Sequence, residues 1–183
     1  MSELARFVPA EQAFLAGVFF KLGIWMSHVD DDGEEDGASD EKEREVLLKT
    51  LSKLAAHYQR SMPLVSEMAM ESVRQQTNHA RWEAEEEKAV ADAAEAARMI
   101  KNAYSDAEYA KFKAACMDVT TRVACAFRED AAAGGADSGL SAFISKAGGL
   151  FGRLSGSGLQ AEKNISPAED SALTELANAL SKV

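Results

Sequence analysis

The sequence predicts an all-α fold, a compact bundle of six or seven helices. Three observations carry that reading. Apolar residues recur at three- and four-residue steps through most of the chain. Runs of β-branched residues and strict apolar–polar alternation are absent, while Ala, Leu, Glu and Lys dominate. The three prolines, Pro9, Pro63 and Pro167, each suit the first turn of a helix, where a missing N–H costs nothing. A chain of 183 residues with 46% apolar content fits a single domain with a real core, residues 1–183.

The first helix is expected from Pro9 to about His28. Its apolar residues, from Phe14 and Leu15 to Trp25 and Met26, cover nearly every face, which marks a central, buried helix. Gly17 and Gly23 lower its helix propensity and suggest close approach of a neighbour. The apolar block is about thirteen residues long and contains Lys21, short of the ~20 that cross a bilayer. Glu3 and Glu11 precede it, unlike the basic start of a secretory signal. A cytoplasmic protein is expected.

The second helix is expected to start at Ser39 or Asp40, with Asp40 and Glu43 as a capping pair. Val46, Leu47, Leu51 and Leu54 form its stripe, and it should end near Arg60. The third begins at Pro63, shows Leu64, Val65, Met68, Ala69 and Val73 on one face, and breaks at "QQTNH". A fourth is expected over Ala80–Tyr104, opening on the charged "EAEEEK", its carboxylates read as a solvated face. The fifth opens at the capping box "SDAE" (Ser105 to Glu108) and carries Tyr109, Phe112, Cys116, Val119, Val123 and Phe127. Cys116 and Cys125 share this helix at ~13 Å separation, too far to bridge. Two thiols without a disulfide fit a reducing compartment. Most of the glycines then fall in a Gly/Ser-rich insertion at about 131–164. The last helix opens at "SPAE" (Ser166 to Glu169), with Leu173, Leu176, Ala177 and Leu180 as its stripe.

Charge is distributed unevenly. "HVDDDGEEDGASDEKERE" (His28 to Glu45) has ten acidic and two basic residues, a net −8 in a chain of net −10. Such a balance excludes nonspecific binding to nucleic acid, which needs Lys and Arg against phosphate. Carboxylates in this density offer oxygen ligands to a divalent cation such as Ca, Mg or Mn. The candidate ligands are Asp30, Asp31, Asp32, Glu34, Asp36, Asp40 and Glu43. Counted from Asp32, a twelve-residue calcium-loop frame places Asp32, Glu34, Asp36, Gly37, Asp40 and Glu43 at positions one, three, five, six, nine and twelve. Glu at position three and Ser39 at position eight depart from that frame. A looser cation site over Asp30–Asp36, a docking surface for a basic protein partner, and a solvated loop are the other readings. Clustered like charge repels itself until neutralised. His28 adjoins the segment, either as a further metal ligand or as a cation favoured at a helix C-terminus.

No catalytic signature is present. His28, His57 and His79 make no metal-binding pair, the cysteines form no CxxC, and neither a nucleophile elbow nor a phosphate-binding glycine loop appears. A non-enzymatic role is expected, the competing class being a small metal-dependent enzyme using loop carboxylates and His28. Leu140–Leu154 has Lys146, Arg153 and no acid, with Leu140, Phe143, Ile144, Leu150 and Leu154 on one helical face. It suits a membrane surface, a partner, or its own domain.

"DEKEREVLLKTLSKL" (Asp40 to Leu54) aligns in register with "SPAEDSALTELANAL" (Ser166 to Leu180), and each follows an apolar helix ending in acids. This suggests two pseudo-repeated helix–acidic loop–helix halves, against the alternative that any two capped amphipathic helices align so. The pattern resembles the TerB-like family, the tellurite-resistance helical domain also found fused to a J-domain co-chaperone. The matching parts are Val18 to Leu54 and about Val119 to Leu180. The resemblance implies an all-helical fold, links to stress resistance and membrane-associated assemblies, and metal binding by acidic residues. The matching acidic positions are Asp32, Glu43, Glu129, Asp130 and Glu169, of which Glu129, Asp130 and Glu169 form a second cluster. The first loop is longer and more acidic than the family's "DG" turn, and the second lacks "DG".

Overall fold

The structure is a computed structural model that describes residues 2–30, 37–129 and 166–183, with the side chains of 30, 37–43 and 125–129 left aside. Among the described residues it is an all-α bundle of seven helices without strands: α1 (Pro9–Ser27), α2 (Gly37–Tyr58), α3 (Pro63–Arg74), α4 (His79–Glu83), α5 (Ala89–Ala103), α6 (Asp106–Glu129) and α7 (Pro167–Ser181). The Gly/Ser-rich stretch, Leu140–Leu154 and Asp130 lie outside the described residues. No described helix is long and apolar enough to cross a membrane.

Helix α1 is the axis of the bundle. It packs on α2, α3, α4, α5 and α6, and all its residues from Leu15 to Ile24 are buried. Its two glycines are required by that packing. A Cβ on Gly17 would sit 2.7 Å from Nε1 of Trp82, and one on Gly23 would overlap the Leu47 side chain. The expected stripes fill the core: Leu47, Leu51 and Leu54 from α2, Leu64, Val65, Met68 and Ala69 from α3, and Phe112, Cys116, Val119 and Val123 from α6 close over α1, while Leu173, Leu176 and Leu180 come from α7, which packs on α5 and α6. Val46, Val73 and Ala177 sit half-buried at the stripe edges. Cys116 is a buried free thiol whose burial holds its proton well above the ordinary range.

The helix starts follow local chemistry. Pro9, Pro63 and Pro167 all occupy first turns. Both later capping boxes form. The Ser105 N–H donates to Glu108 at 3.1 Å, and the Glu108 N–H donates to the Ser105 hydroxyl at 3.4 Å. The Ser166–Glu169 pair is tighter, at 2.7 and 3.1 Å, and buried.

Two expectations need correction. Helix α2 starts at Gly37, so Asp40 lies inside its first turn rather than capping it. Its C-terminus, at Tyr58, falls near Arg60 as expected, with Met62 buried before Pro63. The single helix expected over Ala80–Tyr104 is three pieces: α4, a 3-10 turn at Glu86–Lys88, and α5. Its local pattern is helical, but carboxylates of the "EAEEEK" stretch meet Lys21 of α1, His28 of the turn after it and Arg44 of α2 where the helix is interrupted.

The segment before α1 is strapped onto α3. One Glu67 carboxylate accepts the Leu4 N–H at 2.9 Å, the Glu3 N–H at 3.0 Å and the Ser2 hydroxyl at 2.7 Å. Phe7 stacks on Tyr104 with ring centroids 6.3 Å apart, and the Tyr104 hydroxyl donates to Glu3 at 3.0 Å.

Candidate functional site: the acidic end of the bundle

The acidic segment follows the end of α1 and continues into α2. At the exit, His28 opens a short 3-10 turn, His28–Asp30, and its Nδ1 lies 2.5 Å from Glu86 Oε2. At the re-entry, Arg44 on α2 lies 2.6 Å from Glu83 Oε1. Both anchors therefore grip one short stretch, Glu83–Lys88. A third tie comes from inside. Lys21 is 4% exposed on α1, bonds Asp92 of α5, and lies 3.6 Å from Glu85. A buried ammonium needs such partners, since desolvating an unpaired charge costs several kcal/mol.

Sequence reasoning missed this convergence. Glu83, Glu85, Glu86 and Glu87 read as a solvated face, yet Glu83, Glu85 and Glu86 are part-buried ion-pair partners and Glu87 is the exposed one. His28–Glu45 and Glu83–Lys88 together carry a net −11, whereas the rest of the chain carries +1. The whole excess negative charge thus belongs to two stretches that the fold ties to one end. The available signal was "EAEEEK" itself, but nothing local says which cations it meets.

The fate of each candidate ligand differs. Asp31, Asp32, Glu34 and Asp36 lie outside the described residues. Asp30 is placed by its backbone at the end of the turn after α1, and Asp40 and Glu43 by theirs in the first turns of α2. That helix takes up positions six to twelve of the calcium-loop frame. In such a loop the glycine makes a sharp turn and the next carbonyl is a ligand. Here Gly37 opens an α-helix, while Asp32, Glu34 and Asp36 of the frame lie outside the described residues. In the second cluster, Glu129 ends α6, Asp130 is not described, and Glu169 is buried at the start of α7, where its Oε2 accepts the Ser166 N–H. Helix α7 packs against the His28–Asp30 turn, so the second cluster's helix meets the first cluster's exit. Among the described residues, no three His, Cys, Asp or Glu side chains converge as a metal site.

The other two histidines are structural. His79 is buried, stacks on Phe20 at 4.1 Å, and its Nε2 is 2.8 Å from the Ser72 carbonyl. His57 sets its ring edge against Tyr58. No protein-family model, curated protein or solved structure matches the chain. The resemblance to TerB thus stands on the motifs quoted above.

Proposed function

We propose that the protein is a non-enzymatic helical binding domain, resembling TerB, that takes a divalent cation or a positively charged protein partner at its acidic end. The setting is a cytoplasmic stress response, tellurite resistance included, or a membrane-linked assembly. One observation carries the reading: His28 and Arg44, at either side of the acidic segment, both contact carboxylates of the Glu83–Lys88 stretch, at 2.5 and 2.6 Å. Carboxylates concentrated beyond those two fixed points repel one another, and a cation or a basic surface relieves that repulsion. Fixed anchors also lower the ordering cost of binding, because the ends need not be brought together.

The test is calorimetric titration of the protein with Ca, Mg, Mn and an oligolysine peptide, alongside elemental analysis of the purified protein. Binding that is lost in Asp32→Asn/Asp36→Asn and weakened by added salt is expected. Flat titrations with all four would remove the proposal. Binding of the peptide alone would assign the end to a protein partner.

A further inference from the structure

A second site lies in a cleft of ≈ 330 Å³ between α1 and α4. That volume is at the lower end of the ~300–1,000 Å³ of small-molecule pockets. Its walls include Ala13, Phe14 and Lys21 of α1, Arg81 and Trp82 of α4, and Glu85 just beyond. Gly17 lies between these α1 residues, and the Trp82 indole nitrogen rests over it.

The hydrogen-bonding capacity of the cleft is unbalanced. Trp82 lines the cleft, and no described residue accepts a hydrogen bond from its indole N–H. The Arg81 guanidinium is exposed and has no ion pair among the described residues. Lys21 brings an ammonium to the same cleft, bonded to Asp92 behind it. The acceptor facing these donors is Glu85, which is 3.6 Å from Lys21 and whose side chain is 37% exposed, free enough to swing aside. The unmet capacity is therefore donor capacity. The Phe14 and Trp82 rings supply an apolar wall beside it.

We propose that the cleft binds a small carboxylate with an apolar body, its oxygens on Arg81 and the Trp82 N–H and its body against Phe14. A ligand carboxylate near Lys21 takes over the place Glu85 holds in the empty cleft. The cleft shares Lys21 and Glu85 with the third tie of the acidic end, but Arg81 and Trp82 take no part there, so benzoate binding and cation binding are read separately.

The experiment follows indole N–H resonances by nitrogen-15 NMR in Trp25→Phe protein, where Trp82 is the remaining tryptophan. Benzoate, benzyl alcohol and benzylamine are titrated in parallel. The wild-type protein, with two indole signals, serves equally if that variant unfolds. Benzoate is expected to shift the Trp82 signal saturably and benzylamine to bind more weakly. Arg81→Gln should weaken benzoate about tenfold, the loss of one charge-assisted hydrogen bond. Glu85→Gln should leave benzoate binding equal or tighter. Thermal unfolding of each variant verifies that the fold is intact. No shift with benzoate, tighter binding of benzylamine, or an Arg81→Gln protein that binds benzoate unchanged would each overturn the proposal.

Discussion

The carboxylate of Asp92, on α5, reaches the ammonium of Lys21, on α1, across 71 residues of sequence. The lysine is one of the few charged side chains buried in the bundle, and it sits on the most apolar helix. Removing its partner leaves a charge that water scarcely reaches.

Asp92→Asn is expected to destabilise the fold by about 2 kcal/mol. This is below the ~3–5 kcal/mol of a fully enclosed pair, because Glu85 stays within reach. Adding Lys21→Met should recover much of the loss, since a paired apolar replacement removes the stranded charge. Urea unfolding of the single and double variants measures both. A double variant no more stable than Asp92→Asn would refute the assignment.

Gly17→Ala ought to be destabilising although alanine is the better helix former by about 1 kcal/mol. The new methyl meets the Trp82 indole 2.7 Å away, and overpacking typically costs ~1–3 kcal/mol. Thermal unfolding reads the net loss, and the fluorescence of Trp82 should change with it. An equally stable Gly17→Ala protein would mean that the indole yields easily.

The two capping boxes give an internal comparison. Ser166→Ala and Ser105→Ala each remove an N-cap, worth about 1 kcal/mol. The loss at Ser166 should be the larger, because its box is buried and the Glu169 N–H then loses its acceptor, the Ser166 hydroxyl. Denaturant midpoints of the two variants, taken side by side, decide the order.

The strap before α1 should loosen at both extremes of pH. Burial pushes the Glu67 carboxyl up, but the Leu4 N–H, Ser2 hydroxyl and Glu3 N–H together more than offset this and leave it below its ordinary 4.5. A depressed carboxyl stabilises above its unfolded pKa, and that stability is lost as pH falls through the lower folded value. At the other end, burial and then the bond to Glu3 push Tyr104 up to about 12. Its contribution is full below pH 10 and is lost as pH rises toward 12. The hydrogen-exchange protection factors of the Glu3 and Leu4 N–H groups, corrected for the intrinsic rate at each pH, should fall below pH 4.5 in the wild type. In Glu67→Gln they should be low already at neutral pH, with little acid dependence.

Much of the bundle was legible because its signals are local. Pro9, Pro63 and Pro167 mark helix starts by what proline cannot do, and Ser105–Glu108 and Ser166–Glu169 close boxes three residues wide. Tyr109 through Val123 show their buried face by spacing alone. The breaks at Ala84–Glu85 and at Glu86–Lys88 were not legible, because they answer to Lys21, His28 and Arg44, each 39 or more residues away in sequence. The same distance hides the candidate sites. Acid density marks His28–Glu45, but nothing in it points to Glu83–Lys88. The cleft donors Arg81 and Trp82 look like ordinary helix residues until Gly17 is set beneath them.

The clamps at His28 and Arg44 have a further consequence, for engineering. Adding flexible chain costs little, since each doubling of a flexible loop costs only ~0.6 kcal/mol in closure entropy. A flexible foreign peptide inserted between Gly33 and Glu34 should therefore leave the bundle folded, provided that Glu86 and Glu83 keep their hold on His28 and Arg44.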